Sequence, residues 1–157
     1  MDQGGGRVLP LGARAMTFLI CEDGQEYSER FSRFLGGEFS FSRAACFSEA
    51  VQLAPEASAL LLDLDFRRTD PALLIDEHGA PGPRLADVQG ILILRALRAR
   101  GVTLPALLFA DLDDQERVQR LEAELAPLQI VSSDEGLPRI AQRLRNLGTP
   151  FRFSSDE

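Results

Sequence analysis

The chain has 157 residues, of which 45% are hydrophobic and 26% are charged, and its formal net charge is −7. These values are typical of a single soluble globular domain with enough residues for a hydrophobic core. The negative charge excludes non-specific nucleic-acid binding, which needs clustered basic residues.

All 17 basic residues are arginine. We interpret this as a bias of base composition, with the chemical consequence that no lysine is available for a role that needs one. Two cysteines, Cys21 and Cys46, are too few for a disulfide framework, and we expect both to be buried. No apolar stretch approaches the ~18 residues of a membrane span, and the N-terminus lacks the apolar region of a secretory signal. We therefore expect a cytoplasmic protein.

The apolar pattern predicts five strands, each followed by a helix. The predicted strands cover residues 17–21, 39–44, 59–63, 106–109 and 129–131. The predicted helices cover 25–35, 48–54, 88–100, a segment that begins near 113, and 137–147. Ser48 is the expected cap of helix 2, and Asp113 with Glu116 has the spacing of a capping box for helix 4. Two arginine-rich strips, at residues 95–100 and 139–145, are interpreted as solvated helix faces.

Three segments fall outside this regular alternation. Residues 1–15 contain a triple-glycine run and are predicted to be a flexible lead, residues 16–148 form the domain, and residues 149–157 form a C-terminal tail. Residues 66–87 are too long for an ordinary strand–helix connection of about 2–6 residues, so they are predicted to be an inserted loop.

The inserted loop contains an apolar group that the sequence leaves open to two interpretations. Its apolar members are Phe66, Leu73, Leu74 and Ile75. They either form a surface that binds a partner or hold the loop against the domain. The two arginines at the start of the loop, Arg67 and Arg68, are placed so that either could pair with the acids at the sheet edge.

Five right-handed strand–helix units predict a doubly wound, five-stranded parallel sheet in the order 2-1-3-4-5, with helices on both faces. The order reverses between strands 1 and 3, which end at Glu22 and Asp23 and at Asp63. Carboxylates that converge at such an edge repel one another, and a hard cation relieves the repulsion. The sequence therefore predicts a weak Mg²⁺ site formed by these three residues.

Four motifs follow one another in this order: FLICED at residues 18–23, LLDL at 61–64, GILILRALR at 90–98 and LPALLF at 104–109. In that order they resemble the receiver domains of bacterial two-component signalling, and the resemblance covers roughly residues 17–147. It implies that the acidic pair Glu22 and Asp23 holds Mg²⁺ and that Asp63 is the phosphoacceptor. Gly90 resembles the glycine that precedes the helix after the phosphoacceptor.

The chain departs from the receiver pattern at two switch positions. Ala110 stands where the family has a serine or threonine that meets the phosphoryl group. Ser133, within a Ser-Ser-Asp run, stands where the family has a lysine followed by proline. A serine cannot neutralise the charge of an acyl phosphate as a lysine does.

These features favour a stand-alone atypical receiver, or pseudo-receiver, in bacterial signal transduction. It would act by protein–protein interaction, without enzymatic activity and without normal phosphorylation switching. The expected partner is a signalling protein, either a histidine kinase or a downstream effector. A second copy could also bind through helix 4, strand 5 and helix 5.

Two alternatives remain open at this point. The first is a stand-alone response regulator that accepts phosphate on Asp63 from a histidine kinase. The second is a small Mg²⁺-dependent phosphohydrolase that uses Asp63 as nucleophile and Asp65 as acid or base. The motif of such hydrolases has a threonine or valine where this chain has Arg67, and those enzymes also need a lysine.

Overall fold

The computed structural model describes residues 16–81 and 85–147. Its strands are β1 (Thr17–Cys21), β2 (Ser40–Ala44), β3 (Ala59–Asp63), β4 (Ala106–Phe109) and β5 (Leu128–Val131). Its helices are α1 (Glu26–Leu35), α2 (Phe47–Leu53), α3 (Gln89–Ala99), α4 (Gln115–Glu124) and α5 (Leu137–Leu147). The predicted lead at 1–15 and tail at 149–157 lie outside the described residues. Within the described ranges, no helix is long and apolar enough to cross a membrane.

The strands form one parallel sheet in the order β2–β1–β3–β4–β5, so the predicted fold is confirmed. One hydrophobic cluster lies between the sheet and α2, α3 and α4, and a second lies between the sheet and α1 and α5. Because helices cover both faces, the inner strands are apolar except for Thr17 at the start of β1 and Asp63 at the end of β3. The four residues predicted for the core are fully buried: Leu19, Leu61, Leu62 and Leu107. Both cysteines are buried and free.

Two predicted helix caps are wrong by one or two residues. Helix α2 begins at Phe47 with Cys46 at its N-cap, so Ser48 lies inside the helix and its hydroxyl is 3.3 Å from the Cys46 Sγ atom. Asp114, rather than Asp113, caps α4, because its Oδ1 atom accepts the amides of the second and third helical residues at 3.0 and 3.2 Å. A carboxylate in that position satisfies amides that have no partner inside the helix.

The inserted loop holds itself against the domain instead of projecting its apolar residues. Phe66, Leu74 and Ile75 are 0%, 2% and 6% exposed and belong to the cluster under α2 and α3, whereas Leu73 is 48% exposed. The expectation of a four-residue binding surface is therefore wrong for these three buried residues. Each buried side chain of this size contributes roughly 1.5–3 kcal/mol of transfer free energy, which exposure would forfeit.

Gln89 at the start of α3 is the polar anchor of the loop. Its side chain is 1% exposed, accepts the Ile75 amide at 2.8 Å, and donates to the carbonyls of Ile75 and Leu85 at 3.1 and 3.3 Å. Ile75 also forms an antiparallel bridge with Pro81, which closes a short hairpin. The buried backbone of the loop thus finds its partners on α3, as a buried segment must.

Arg98 belongs to the arginine-rich strip predicted to be solvated, but its side chain is not free in solvent. It is half-buried and donates to four backbone carbonyls at distances of 2.7–3.1 Å. The acceptors belong to Val102, Leu104, Leu125 and Pro127. The side chain therefore joins the end of α3 to the connection between α4 and β5, and the expectation of a wholly solvated strip is wrong at this position.

We predict that Gly90→Ala destabilises the domain by about 1–3 kcal/mol, the usual cost of overpacking a tight site. A Cβ atom on Gly90 would lie 2.0 Å from the carbonyl oxygen of Asp63, which is backbone and cannot move aside cheaply. The matched control is Gly37→Ala, since a Cβ there meets nothing within 4 Å. Urea unfolding of both variants measures the difference, and equal losses in the two would show that the close approach is not limiting.

We predict that Gln89→Ala lowers the free energy of unfolding by about 1–3 kcal/mol, because the buried amide and carbonyl of Ile75 lose their partners. Limited proteolysis should then cut the variant within residues 66–87 faster than the parent. Gln119→Ala, at an exposed position of α4, is the control and should leave both measurements unchanged. Cleavage at the parental rate in a Gln89→Ala protein would contradict the anchoring role.

Candidate functional site

The parallel sheet brings the predicted site residues to one edge. Glu22 and Asp23 follow β1, Asp63 is the last residue of β3, Ala110 follows β4, and Ser133 follows β5 by two residues. Because every strand runs in the same direction, all of these residues lie at the carboxyl end of the sheet. This edge, from here on called the acid edge, is the candidate functional site.

Glu22 is directed at α1 rather than at the centre of the acid edge. It is 1% exposed, and its two carboxylate oxygens accept the amides of Tyr27 and Ser28 at 3.0 and 2.8 Å. These are the second and third residues of α1, whose N-cap residue Gln25 makes no side-chain cap. Glu22 therefore replaces the missing cap, and its charge lies at the positive end of the helix dipole.

Asp23 is bound on both of its carboxylate oxygens by one arginine of the inserted loop. Its Oδ2 atom accepts the backbone amide of Arg68 at 2.8 Å, and its Oδ1 atom lies 3.3 Å from the Arg68 Nη2 atom. The same Nη2 atom donates to the Oε1 atom of Glu26 at 3.0 Å. These hydrogen bonds lower the pKa of Glu26 and raise that of the guanidinium. Of the two arginines considered from sequence, Arg68 thus pairs with the acid edge.

Arg43 of the edge strand β2 fixes the loop between β1 and α1. Its Nη2 atom donates to the carbonyls of Glu22 and Asp23 at 3.4 and 3.1 Å, and its Nε atom donates to the carbonyl of Gly24. Three consecutive carbonyl oxygens are therefore occupied by one guanidinium. This holds the backbone that carries both acids of the pair.

Asp63 lies half-buried at the end of β3, where little offsets the negative charge of its carboxylate. Its Oδ1 atom accepts the amide of Leu64 at 2.9 Å. Burial raises the pKa of this carboxyl to about 6, and the negative charges of Asp23, Glu22 and Asp65 act in the same direction. A carboxyl group near three other acids holds its proton more tightly because its ionisation adds a further negative charge that they repel.

The far side of the acid edge is a cluster of short polar residues. Asp111 accepts hydrogen bonds from the Ser133 amide at 3.0 Å and from the hydroxyls of Ser132 and Ser133. These bonds, led by that of the Ser133 hydroxyl, lower the pKa of Asp111. Ser133 is thus engaged with an acid, and Ala110 beside it is buried and has no hydroxyl.

Comparison with solved structures identifies the architecture. The receiver domain of Francisella response regulator 1452 has a TM-score of 0.64 and 14% identity, covering 86% of this chain and 98% of that one. A two-component response regulator from Clostridium difficile has a TM-score of 0.63 and 12% identity, covering 88% and 99%. The Vibrio cholerae chemotaxis protein CheY4 has a TM-score of 0.62 and 12% identity, covering 85% and 99%. The chain has the receiver fold.

No protein-family model matches the sequence, and no curated protein sequence matches it significantly. At 12–14% identity the structural likeness establishes the fold alone. The chemistry of this receiver fold must therefore be argued from its own residues.

The acids of the edge have the oxygen ligands that Mg²⁺ prefers, but their arrangement does not fit the ion. Glu22 uses both oxygens on α1, and Asp23 uses both on Arg68. Among the residues that the structure describes, no group of three or more His, Cys, Asp or Glu side chains could hold a metal ion. The predicted trio shares an edge and is electrostatically coupled, yet it is not gathered around one point.

Several residues of the site were not predicted from the sequence. Glu26 holds Arg68 from the first turn of α1, and Asp111 organises the serines after β5. Asp111 could have been found, because it follows the end of β4 just as Asp23 follows β1. Tyr27 is also unpredicted: its ring stacks on Phe109 at 4.7 Å, and burial together with the nearby acids raises the pKa of its hydroxyl.

We predict that Asp63→Asn stabilises the protein at neutral pH. The pKa of Asp63 is raised from 3.8 to about 6, so the folded state binds its proton more tightly than the unfolded state does. Stability is therefore lost as the pH rises from about 4 to about 6, and the loss is complete above pH 6. Because the side chain is partly solvated and screened, we expect a gain on the order of 1 kcal/mol at pH 7.5 and almost none at pH 4.

Urea unfolding of the parent and of Asp63→Asn at these two pH values measures the gain. Glu77→Gln, which removes one charge from an exposed turn of the inserted hairpin, controls for net charge alone. A gain in Asp63→Asn that is equal at both pH values, or that Glu77→Gln reproduces, would contradict the assignment to Asp63.

Proposed function

We propose that this protein is an atypical receiver, a pseudo-receiver that acts in signal transduction by binding another protein and does not switch by phosphorylation. One observation carries the proposal. The carboxylate of Asp23, which the resemblance to receivers makes a metal ligand, is occupied by the backbone and side chain of Arg68. A receiver that needs Mg²⁺ to accept a phosphoryl group would have to break this pair first.

The residues that would read a phosphoryl group support the same proposal. A switch needs an interaction that exists in the phosphorylated state and not in the other, since a ligand shifts an equilibrium only by its differential affinity. Ala110 has no hydroxyl to supply that interaction. Ser133 is neutral and is bonded to Asp111. A phosphoryl group on Asp63 would therefore change the relative energies of the two states little.

Magnesium enters this proposal as a weak ligand. The resemblance makes Glu22, Asp23 and Asp63 its ligands, but Glu22 uses both carboxylate oxygens on α1 and Asp23 uses both on Arg68. Of the three, Asp63 accepts the backbone amide of Leu64, whereas Asp23 must first release Arg68. We expect weak Mg²⁺ binding for that reason.

The second candidate is a response regulator that accepts phosphate on Asp63 from a histidine kinase. It is favoured by the position of Asp63, which ends a buried strand and remains partly accessible at the edge. We place it second because the accepting carboxylate lacks both the hydroxyl and the lysine described above. The phosphohydrolase gains no support, since the carboxylate of Asp65 pairs with the adjacent Arg67. We propose no enzymatic activity.

The output of a pseudo-receiver must pass through a binding surface. We propose a signalling protein as the partner, either a kinase or a downstream effector, with self-association through α4, β5 and α5 as the other route. The inserted hairpin already covers part of the α2–α3 face, because Gly79 at its turn lies against Phe47 and Ala96. The insertion also contacts the first turn of α1 through Arg68 and Glu26, so we propose the α4–β5–α5 face as the surface open to a partner.

We predict that beryllofluoride with Mg²⁺, a stable analogue of the acyl phosphate, leaves the amide NMR spectrum of the parent protein almost unchanged. The control is Asp63→Asn, which cannot form the adduct. Saturable shifts at Asp63 and Ala110 that appear in the parent and vanish in Asp63→Asn would establish the phosphorylatable receiver instead. In cells, folded Asp63→Asn and Asp63→Glu proteins should signal almost as the parent does.

A further inference from the structure

We infer that Arg68 is the resident cation of the acid edge: its guanidinium takes the position that a divalent ion would otherwise take beside Asp23. The inference rests on the proposed function and deepens it, because it names the residue that sets the cation preference of the site. It follows from the contacts of Arg68, from the space around its guanidinium and from the hydrogen bonds that the neighbouring groups already make.

Arg68 bridges two carboxylates, although its own side chain is 62% exposed. The side chain of Asp23 is only 4% exposed, so its negative charge needs a nearby partner, and Arg68 supplies both a backbone amide at 2.8 Å and a guanidinium nitrogen at 3.3 Å. The same nitrogen bridges to Glu26 at 3.0 Å. One positive charge is therefore shared between two carboxylates, which is the arrangement a metal ion would adopt.

The guanidinium of Arg68 lies close to the backbone of Gly24. A Cβ atom there would lie 2.3 Å from the Nη2 atom of Arg68 and 2.2 Å from the Oε1 atom of Glu26. Both atoms are the flexible ends of their side chains, so a larger residue at this position would require each of them to shift. The close approach of the loop backbone thus shapes the space that Arg68 fills.

The neighbouring groups leave little freedom for a different arrangement. Glu22 is held on the amides of α1, and Arg43 occupies the carbonyls of residues 22–24. The Oδ1 atom of Asp23 and the carboxylate of Asp63 are the oxygens that could still be offered to an added cation. Mg²⁺ would therefore have to displace the Arg68 Nη2 atom from Asp23 to gain a second ligand.

The competition favours the arginine under ordinary conditions. A charge carried on the same chain acts at an effective concentration that is at least in the millimolar range. Mg²⁺ gives up its hydration water reluctantly and needs near-octahedral oxygen ligands, of which few are available here. Arg68 needs no such geometry, because its guanidinium donates in several directions from a fixed fork.

The adjacent Arg67 shows that the effect is specific to one position. Its side chain is 72% exposed and pairs with Asp65, its neighbour two residues before, at 3.2 Å. It carries the same charge and lies next to Arg68 in the chain, but the contact with Asp65 is local. Arg67 is therefore a matched control for every test of Arg68.

The test is a titration of the whole chain with MgCl₂, followed by amide NMR shifts of residues 22–24 and 63. It compares the parent with Arg68→Gln, Arg67→Gln and the double variant Arg68→Gln/Asp23→Asn. We expect Arg68→Gln to bind Mg²⁺ at least roughly ten-fold more tightly than the parent, equivalent to about 1.4 kcal/mol. Arg67→Gln should behave as the parent does, and the double variant should lose the gain because Asp23→Asn leaves no negative charge at that position to offer the ion.

A second measurement guards against an uninformative variant. Without Mg²⁺, the melting temperature of Arg68→Gln should be lower than that of the parent, and about 10 mM MgCl₂ should restore it. The melting temperatures of the parent and of Arg67→Gln should not change when MgCl₂ is added. Arg68→Met provides a second neutral side chain and should give the same result. Folded Arg68→Gln and Arg68→Met proteins with parental Mg²⁺ affinity would overturn the inference, as would an equal gain in Arg67→Gln.

The outcome is separable from that of the proposed function. If the parent refuses beryllofluoride and neutral Arg68 variants gain no Mg²⁺ affinity, the pseudo-receiver stands and the role of Arg68 is refuted. If the parent accepts beryllofluoride through Asp63, the proposed function fails whatever the Arg68 variants show.

Discussion

The carboxyl end of this parallel sheet carries several negative charges, and each acid there is stabilised in a different way. Glu22 is stabilised by the amides and dipole of α1. Asp23 is stabilised by a guanidinium. Asp63, which has neither, raises its pKa and retains its proton to higher pH. The three acids are therefore stabilised differently: Glu22 by a helix, Asp23 by a side-chain cation, and Asp63 by its proton only below about pH 6. The contacts that the loops make around the acid edge follow from these three arrangements.

The insertion and the acid edge form one structural unit. Phe66 is fully buried, and its amide is bonded to the Ala86 carbonyl at 2.8 Å, so the chain is fixed two residues before Arg68. The same segment continues through Leu74 and Ile75 into the core beside α3, where Gln89 holds it. A segment that first looks like a surface addition therefore positions the cation of the site. Its apolar residues stabilise the domain, and Arg68 places a positive charge beside Asp23 and Glu26.

Local patterns were sufficient for the elements and insufficient for the contacts between them. Each inner strand is a run of four or five apolar residues closed by an acid, so its bounds can be read from the chain. The cap of α4 was missed because Asp113 and Asp114 are adjacent and chemically identical. The burial of Ile75 depends on Gln89, fourteen residues away, and no local pattern reports it. The choice between Arg67 and Arg68 depends on the turn after Asp65, whose carboxylate accepts the Arg67 amide. The direction in which a side chain points is set by the tertiary structure, so it cannot be read from the local sequence.

The absence of lysine from this chain has a structural meaning that base composition alone does not convey. Arg43 and Arg98 each donate to three or more backbone carbonyls from a single planar group. An ammonium, which concentrates its charge at one point, could not span the same oxygens. A guanidinium also keeps its charge at every pH at which a protein stays folded. The basic side chains of this receiver fold therefore carry no amine that acetylation could neutralise.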